Sequence, residues 1–267
     1  MINNKVLSST SEESGSPNKV IISIVMPAYN LRDRIKESIN KVCGVLNSLD
    51  YEYEIIVVDD GSIDNTYEEV INLGNKRVRV YKNFRNVGKG FAVKKGILMS
   101  RGEYVILLDA DMEIKYSDII YYIDALKHFD IVIASKWHPE SVYRAPIMRK
   151  ILSLAFHWMV RLLTGIDVSD TQTGLKAFRG DIARLIMRII LVKRYAFDVE
   201  ILAVAKLLDL KICEKPVKVV LNKGFPIKSI LYMIIDLLGI VYRLRILKWY
   251  QGNISKLDIK YKPLIPL

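Results

Sequence analysis

A chain of 267 residues that is 51% hydrophobic has enough apolar material for one large domain or two small ones. Its formal charge of +11 points to anionic partners, whether nucleotides, phosphates, nucleic acid or an acidic membrane surface, although a merely basic surface carries the same signature. Cys43 and Cys213 are the only cysteines, far apart and each inside an apolar segment, which argues for buried free thiols and against a disulfide framework.

Residues 1–18 are polar and Ser-rich and read as a disordered tail without a secretory signal, which favours a cytoplasmic, reducing compartment. Five short β-rich runs follow: "VIISIVM" (20–26), "YEIIVVD" (53–59), "RVRVYK" (77–82), "EYVILLD" (103–109) and "DIVIAS" (130–135). Helical patterns separate them over 32–49, 64–73, 88–99 and 117–128. Strands alternating with helices at this spacing predict a mostly parallel sheet with helices on both faces. In such sheets ligands bind beyond the carboxyl ends of the strands. Polar clusters stand at those ends: "PAYN" (27–30), "DDGSIDNT" (59–66), "NVGKG" (86–90) and "DADME" (109–113).

The later segments differ. Residues 145–165 form one long helix pattern in which Arg149, Ser153, His157 and Arg161 make a narrow polar stripe on an otherwise apolar surface. Residues 226–250 read as a second apolar helix, interrupted by Asp236 and followed by basic residues. Neither supplies the roughly 18 to 20 uncharged residues of a membrane-spanning helix. Both suit a membrane interface, with the apolar face down and Lys, Arg and Trp at the boundary. The same faces also suit core packing or the seam of a homodimer. The expected organisation is a tail over 1–18, a catalytic unit over 19–225 containing the first amphipathic helix (146–164), and an interface helix with a C-terminal tail over 226–267.

The acidic clusters carry the chemistry. Asp109 and Asp111 flank Ala110 where a strand ends, and residues two apart in extended backbone point the same way. Paired carboxylates there suit Mg2+ or Mn2+, which also hold substrate phosphates, with Glu113 as a third ligand. Alternatively the pair is a capped turn with solvated aspartates. Asp59 and Asp60 follow another buried strand, Gly61 allows a tight turn, and Asp64 is placed to cap the next helix. A carboxylate at that edge accepts hydrogen bonds from a base or a ribose. Glycines around Lys89 at a helix start suit a phosphate, or simply a turn. The spacing matches neither a P-loop nor a dinucleotide fingerprint.

Taken in order, "IVMPAYN", "IIVVDDGSIDNT", "NVGKG" and "LLDADMEI" resemble the family 2 glycosyltransferases of the GT-A fold. "DTQTGLKAF" (170–178) and "YAFDVEI" (195–201) are similar to the dolichyl-phosphate glucosyltransferase and dolichol-phosphate mannose synthase branch, nearer the glucosyl enzymes. The resemblance spans about 20–225. It implies a Rossmann-like α/β fold with C-terminal amphipathic interface helices, on the cytoplasmic face of a membrane and peripheral to it. It further implies that Pro27, Ala28 and Tyr29 line a nucleobase pocket, with Asp59 on the base and Asp60 or Ser62 nearby. Lys89 would lie close to the nucleotide. Asp109, Ala110 and Asp111 would reach the ribose, the diphosphate and a divalent metal joined by Glu113, and Asp170 and Gln172 would face the sugar. Asp198 and Glu200 would stand beside the site on a helix. Lys136, Arg149, Lys223 and Lys228 would hold an acceptor phosphate, with Asp111, Lys136, Arg149 and Asp198 the catalytic set.

Two departures stand out. Leu31 follows "PAYN" where the family usually has an acidic residue, and Lys136 stands where Arg is frequent, keeping the charge but losing the bidentate fork. The implied reaction is inverting transfer of a hexose from a nucleotide sugar, UDP-glucose favoured, to dolichyl or polyprenyl phosphate at a membrane surface. A GDP-mannose-dependent mannose synthase is the alternative within enzymes, and a non-catalytic basic membrane-binding module the alternative outside them. The strand-end aspartates speak against a nucleic-acid partner. His128, His138 and His157 are isolated and read as ordinary polar side chains.

Overall fold

The computed structural model describes residues 20–111, 115–221 and 227–257. Glu113, Lys223 and the tail 1–18 lie outside the described residues. The five expected strands form as β1 (Ile22–Ala28), β2 (Tyr53–Asp59), β3 (Val78–Lys82), β4 (Tyr104–Leu108) and β5 (Ile131–Ser135). The helices between them are α1 (Arg32–Leu46), α2 (Thr66–Ile71), α3 (Lys89–Leu98) and α4 (Ile119–Ala125), the last entered through a single 3-10 turn at Tyr116–Asp118. Asp64 serves two helices: its Oδ1 accepts the Thr66 N–H at 3.1 Å and its Oδ2 the Arg32 N–H at 3.1 Å.

The remaining elements are β6 (Val142–Arg144), α5 (Ile147–Thr164), β7 (Leu175–Arg179), α6 (Gly180–Ile189), α7 (Phe197–Leu207), β8 (Ile212–Pro216), β9 (Lys218–Val220), α8 (Ile227–Val241) and α9 (Trp249–Ile254). The main sheet has seven strands in the order β3-β2-β1-β4-β7-β5-β8, and β6 pairs with β9 in a separate ribbon. All neighbours in the main sheet are parallel except β7, which runs antiparallel to β4 and β5. The sequence pattern does not announce β7 as a strand. Lys176 interrupts its apolar run, yet lies fully buried because Asp198 faces its ammonium at 2.7 Å. The antiparallel insertion matters for the site. It brings the loop that precedes β7, residues 170–174, to the same sheet edge as the ends of β1, β2, β4 and β5.

Core residues cover both faces of the sheet. One cluster joins Val25, Val105 and Phe178 to α3, α5, α6, α7 and α8, and the other joins Ile24, Ile55 and Ile106 to α1 and α4. Cys43 is buried and Cys213 half-buried, both as free thiols.

The single helix expected over 226–250 is two. A π-helical turn at Tyr242–Ile246 follows α8, Lys248 takes a left-handed conformation (φ 48°), and α9 turns back onto the domain. Burial of Tyr250 drives the reversal: its ring is fully covered and its hydroxyl donates to Glu200 Oε1 at 2.5 Å. Helix α5 carries its polarity the unusual way round. Phe156, Val160 and Thr164 are buried, whereas Ile147, Met148, Ile151, Trp158 and Leu162 are exposed, Leu162 to 79%. Leu231, Ile235 and Leu238 of α8 are exposed as well. No helix among the described residues is long and apolar enough to cross a membrane.

Candidate active site

Two adjoining cavities open at the carboxyl edge of the sheet. The first, about 320 Å3, is bounded by Lys136, Tyr143, Arg149, Gln172, Asp198 and apolar side chains of α5 and α8. The second, about 340 Å3, is bounded by Pro27, Ala28, Tyr29, Leu31, Asp60 and Ala110. Lys89, Asp109, Asp111 and Tyr195 line both. The two aspartates thus stand on the partition between a pocket built from strand ends and a pocket walled by helices.

Asp109 and Asp111 are set by contacts that reach across the fold. Ser38 Oγ of α1 donates to the Ala110 carbonyl at 2.8 Å, which fixes the turn between the two carboxylates. Gly174 lies against the Asp109 carboxylate so closely that a Cβ there would fall 1.8 Å from Asp109 Oδ2. Lys89 Nζ stands 2.7 Å from Asp109 Oδ1 and 2.8 Å from Oδ2. Burial works against this ammonium, but Asp109, Asp198 and Asp111 outweigh it and hold its pKa above the ordinary lysine range. Lys89 is therefore a permanent cation at the partition.

The glycine loop is organised differently from an open phosphate cradle. Asp60 Oδ1 accepts the amide of Val87 at 3.1 Å and Asn83 Nδ2 at 2.8 Å, and its Oδ2 accepts the Gly88 amide at 2.7 Å. Gly88, at φ 123°, packs on the Lys193 carbonyl, which a Cβ would approach to 2.4 Å. These glycines let the loop at the start of α3 lie on the backbone of 192–194, and they bring Lys89 to the aspartates. Asp59 is fully buried behind the cavities. Its Oδ1 accepts the hydroxyl and the amide of Ser62, and its Oδ2 has no hydrogen-bond partner among the described residues. Asp59 and Ser62 line neither cavity.

On the other side Asp170 is the knot. Its Oδ1 accepts Lys136 Nζ at 2.7 Å and the Gln172 amide at 2.9 Å; its Oδ2 accepts the Lys136 amide at 3.1 Å and the Thr173 hydroxyl. Burial pushes the Asp170 carboxyl up, but Lys136, Thr173 and the Gln172 amide outweigh it and hold the pKa below the usual carboxylate range. Lys136 is thus a buried, paired cation on the cavity wall. Arg149, in the first turn of α5, shares that wall. Lys228 is exposed on α8, lines neither cavity, and has its ammonium 5.9 Å from the Tyr232 ring centre.

Asp198 and Glu200, two apart on α7, diverge because residues two apart in a helix face different ways. Asp198 turns into the first cavity, and burial pushes its carboxyl up against the pull of Lys176 and Lys89. Glu200 faces the interior. Its Oε2 accepts the amides of Leu191 and Val192 at 2.9 and 2.7 Å, and its Oε1 meets Tyr250. Arg194 of the same loop pairs with Asp236 of α8 at 3.1 Å. Tyr143, Lys176 and Tyr195 also belong to the site region, and motif reading passed over all three as site residues. Lys176 and Tyr195 lie within the quoted stretches 170–178 and 195–201, whereas Tyr143 lies in none of them.

Magnesium and manganese take one or two carboxylates and complete their shells with water and substrate phosphates. Asp109 and Asp111 on one partition, with Gly174 leaving room for the Asp109 carboxylate, fit that demand. Among the described residues no group of three or more His, Cys, Asp and Glu side chains is placed to hold a metal ion.

Comparison with known proteins agrees with this geometry. The sequence model of Glycosyl transferase family 2 matches residues 23–185. A dolichyl-phosphate beta-glucosyltransferase of Dictyostelium discoideum is 33% identical over 252 residues, 87% of this chain and 77% of the relative. The Homo sapiens protein of the same name is 34% identical over 264 residues, 91% of this chain and 81% of the relative. Glucosyl-3-phosphoglycerate synthase of Mycobacterium tuberculosis, solved with Mn2+, UDP-glucose and phosphoglyceric acid, superposes with a TM-score of 0.62 at 20% identity, covering 84% of this chain and 79% of that one. That likeness establishes a shared GT-A fold. The chain is a glycosyltransferase and belongs to glycosyl transferase family 2.

Proposed function

We propose that the chain is an inverting hexosyltransferase that moves glucose from UDP-glucose to dolichyl or another polyprenyl phosphate, giving a β-linked polyprenyl-phosphate glucose. One observation carries the reading: the two cavities meet at Asp109 and Asp111, and the one opposite the strand ends is walled by Leu152 and Phe156 of α5 and Ile230 and Met233 of α8. A nucleoside fits beside Pro27, Ala28 and Tyr29, and a phosphate bearing a long apolar chain fits between the helices. The names of the relatives support the same donor sugar and acceptor class.

In this reading a phosphate oxygen of the acceptor attacks the anomeric carbon while the bond to the nucleoside diphosphate breaks, and the electron pair leaves with the diphosphate. The attacking oxygen is already anionic near neutral pH, so the chain has to position and to stabilise charge rather than supply a strong base. Lys89 meets the developing charge of the leaving group. Asp109 and Asp111 would hold Mg2+ or Mn2+, which when bound supplies Lewis-acid stabilisation of the diphosphate; Glu113 would join them. Lys136 and Arg149 attract the acceptor phosphate, and Lys223 and Lys228 would add positive charge for it. Asp170 fixes Lys136, Gln172 faces the sugar, and Asp198 balances Lys89 and Lys176. Asp60 lines the base pocket, and Asp59 and Ser62 support it from behind.

The exposed apolar faces of α5 and α8 lie on a membrane surface and bring the cavity mouth to the lipid, with the catalytic unit over 19–225 on the cytoplasmic side. A homodimer through those faces is the competing use, and sedimentation in the absence of lipid distinguishes the two. Incubation with polyprenyl phosphate, Mg2+ and labelled UDP-glucose or GDP-mannose in parallel tests the reaction. Label entering the organic phase with UDP-glucose is expected. Transfer with GDP-mannose alone, or with neither donor, rejects the proposal.

A further inference from the structure

We infer that Tyr143 is a binding residue for the acceptor, its hydroxyl donating a hydrogen bond to the phosphate of a prenyl phosphate; this rests on the acceptor class proposed above. Tyr143 is the middle residue of β6 and stands opposite Val219 of β9. The ribbon is tied at both ends, Val142 N–H to the Val217 carbonyl at 3.1 Å and Leu221 N–H to the Arg144 carbonyl at 2.8 Å. The ring is held as firmly as its backbone. Trp137 meets it edge-on with centroids 5.5 Å apart, and the ammonium groups of Lys136 and Lys150 lie 5.9 and 5.5 Å from its centre. On this fixed ring the hydroxyl oxygen is buried and has no hydrogen-bond partner among the described residues.

A buried hydroxyl without a partner destabilises the fold that holds it, and a phenylalanine would fill the same space without that cost. The hydroxyl therefore calls for a partner that arrives from outside. Tyr143 lines the first cavity together with Arg149 and Gln172, and Gln172 Nε2 is a second buried donor with no partner. Two side chains that carry an unused donor, together with Arg149, line one cavity, which suits a ligand that accepts many hydrogen bonds at once, as the three oxygens of a phosphate monoester do. Position separates the acceptor from the donor. Tyr143 does not line the cavity of Pro27 and Tyr29, and its own cavity continues along Leu152, Phe156 and Met233, where an isoprenoid chain finds apolar cover.

The test is Tyr143→Phe, read in two independent ways on the full chain. In binding titrations with farnesyl phosphate, the variant is expected to bind about five- to tenfold more weakly than the wild type. With farnesol, which has no phosphate, the two proteins are expected to behave alike. In steady-state transfer the KM for prenyl phosphate rises by a similar factor while the KM for UDP-glucose stays unchanged. Thermal unfolding of the variant is expected at the wild-type temperature or above it, which a purely structural hydroxyl would not allow. Equal farnesyl phosphate affinity in the two proteins, no binding by either, or an effect confined to UDP-glucose or shared with farnesol overturns the inference. Absence of sugar transfer by a wild-type protein that still binds farnesyl phosphate through Tyr143 would instead reject the proposed reaction.

Discussion

The floor of the site and its rim are built on opposite rules. At the sheet edge, Asp60 is satisfied by two amides and Asn83, and Asp170 by Lys136, Thr173 and Gln172, although Asp59 Oδ2 keeps no hydrogen-bond partner among the described residues. On the rim, Tyr143 and Gln172 keep buried polar atoms unpaired, and α5 and α8 turn leucine, isoleucine and tryptophan side chains to solvent. The floor is largely set at folding by ion pairs and amide contacts and holds charge in place, as electrostatic preorganisation requires. The rim is left incomplete, and its deficits match what a lipid phosphate carries. Substitutions in the floor should therefore cost stability or chemistry, and substitutions in the rim should cost ligand or surface binding.

The largest effect is expected from Lys136→Met. It leaves the buried Asp170 carboxylate without its ion-pair partner and should lower unfolding stability by about 3–5 kcal/mol in urea titrations. The sign of the accompanying pH dependence follows from the depressed pKa of Asp170. The unfolded chain binds this proton more readily, so the stabilisation is complete above the unfolded pKa of about 3.9 and fades as pH falls through the lower folded value. The stability gap between wild type and Asp170→Asn should thus narrow below about pH 4. A gap that is constant with pH would show that the floor is not held by this ionised pair.

Asp111→Asn should lower sugar transfer by about 100- to 1000-fold with the unfolding midpoint nearly unchanged. Loss of stability in place of activity would move Asp111 from the chemistry to the scaffold. Gly174→Ala should lower turnover by about 100-fold, since its Cβ has to displace the Asp109 carboxylate and a shift of roughly 1 Å is enough for that loss. Wild-type turnover in this variant would mean that the position of Asp109 is not critical. On the rim, Leu162→Glu with Leu238→Glu should change stability by no more than about 0.5 kcal/mol, because both side chains already face solvent. The same pair should lower co-sedimentation with anionic vesicles by about tenfold or more, given about 1.5–3 kcal/mol for each buried leucine. Unaltered vesicle binding combined with a changed oligomeric state would reassign the face to a dimer.

Much of the floor was legible in the chain. The five strands from "VIISIVM" to "DIVIAS" are short apolar runs bounded by turn residues, and the polar clusters at their ends lie within one edge because parallel strands present the same end. Periodicity reports on contacts between near neighbours, and these elements are defined by such contacts. Strand β7 was illegible because its decisive residue, Lys176, is buried only by virtue of a carboxylate 22 positions away, and the β6–β9 ribbon because three-residue strands carry no period.

The sequence by itself determined the α/β order of the first five strands, the placement of Asp109, Asp111 and Asp60 at strand ends and of Lys89 at a helix start, and the apolar character of residues 145–165 and 226–250. Only the tertiary structure decided that β7 enters antiparallel and so carries the loop of Asp170 and Gln172 to the sheet edge, that Glu200 serves Tyr250 instead of the cavity, and that Tyr143 lines the first cavity with its hydroxyl unpartnered among the described residues. The physical reason is the range of the interactions. A pattern along the chain encodes which residues prefer burial, whereas pairing of buried charges and the fate of a single hydroxyl depend on groups that meet only after the sheet has closed.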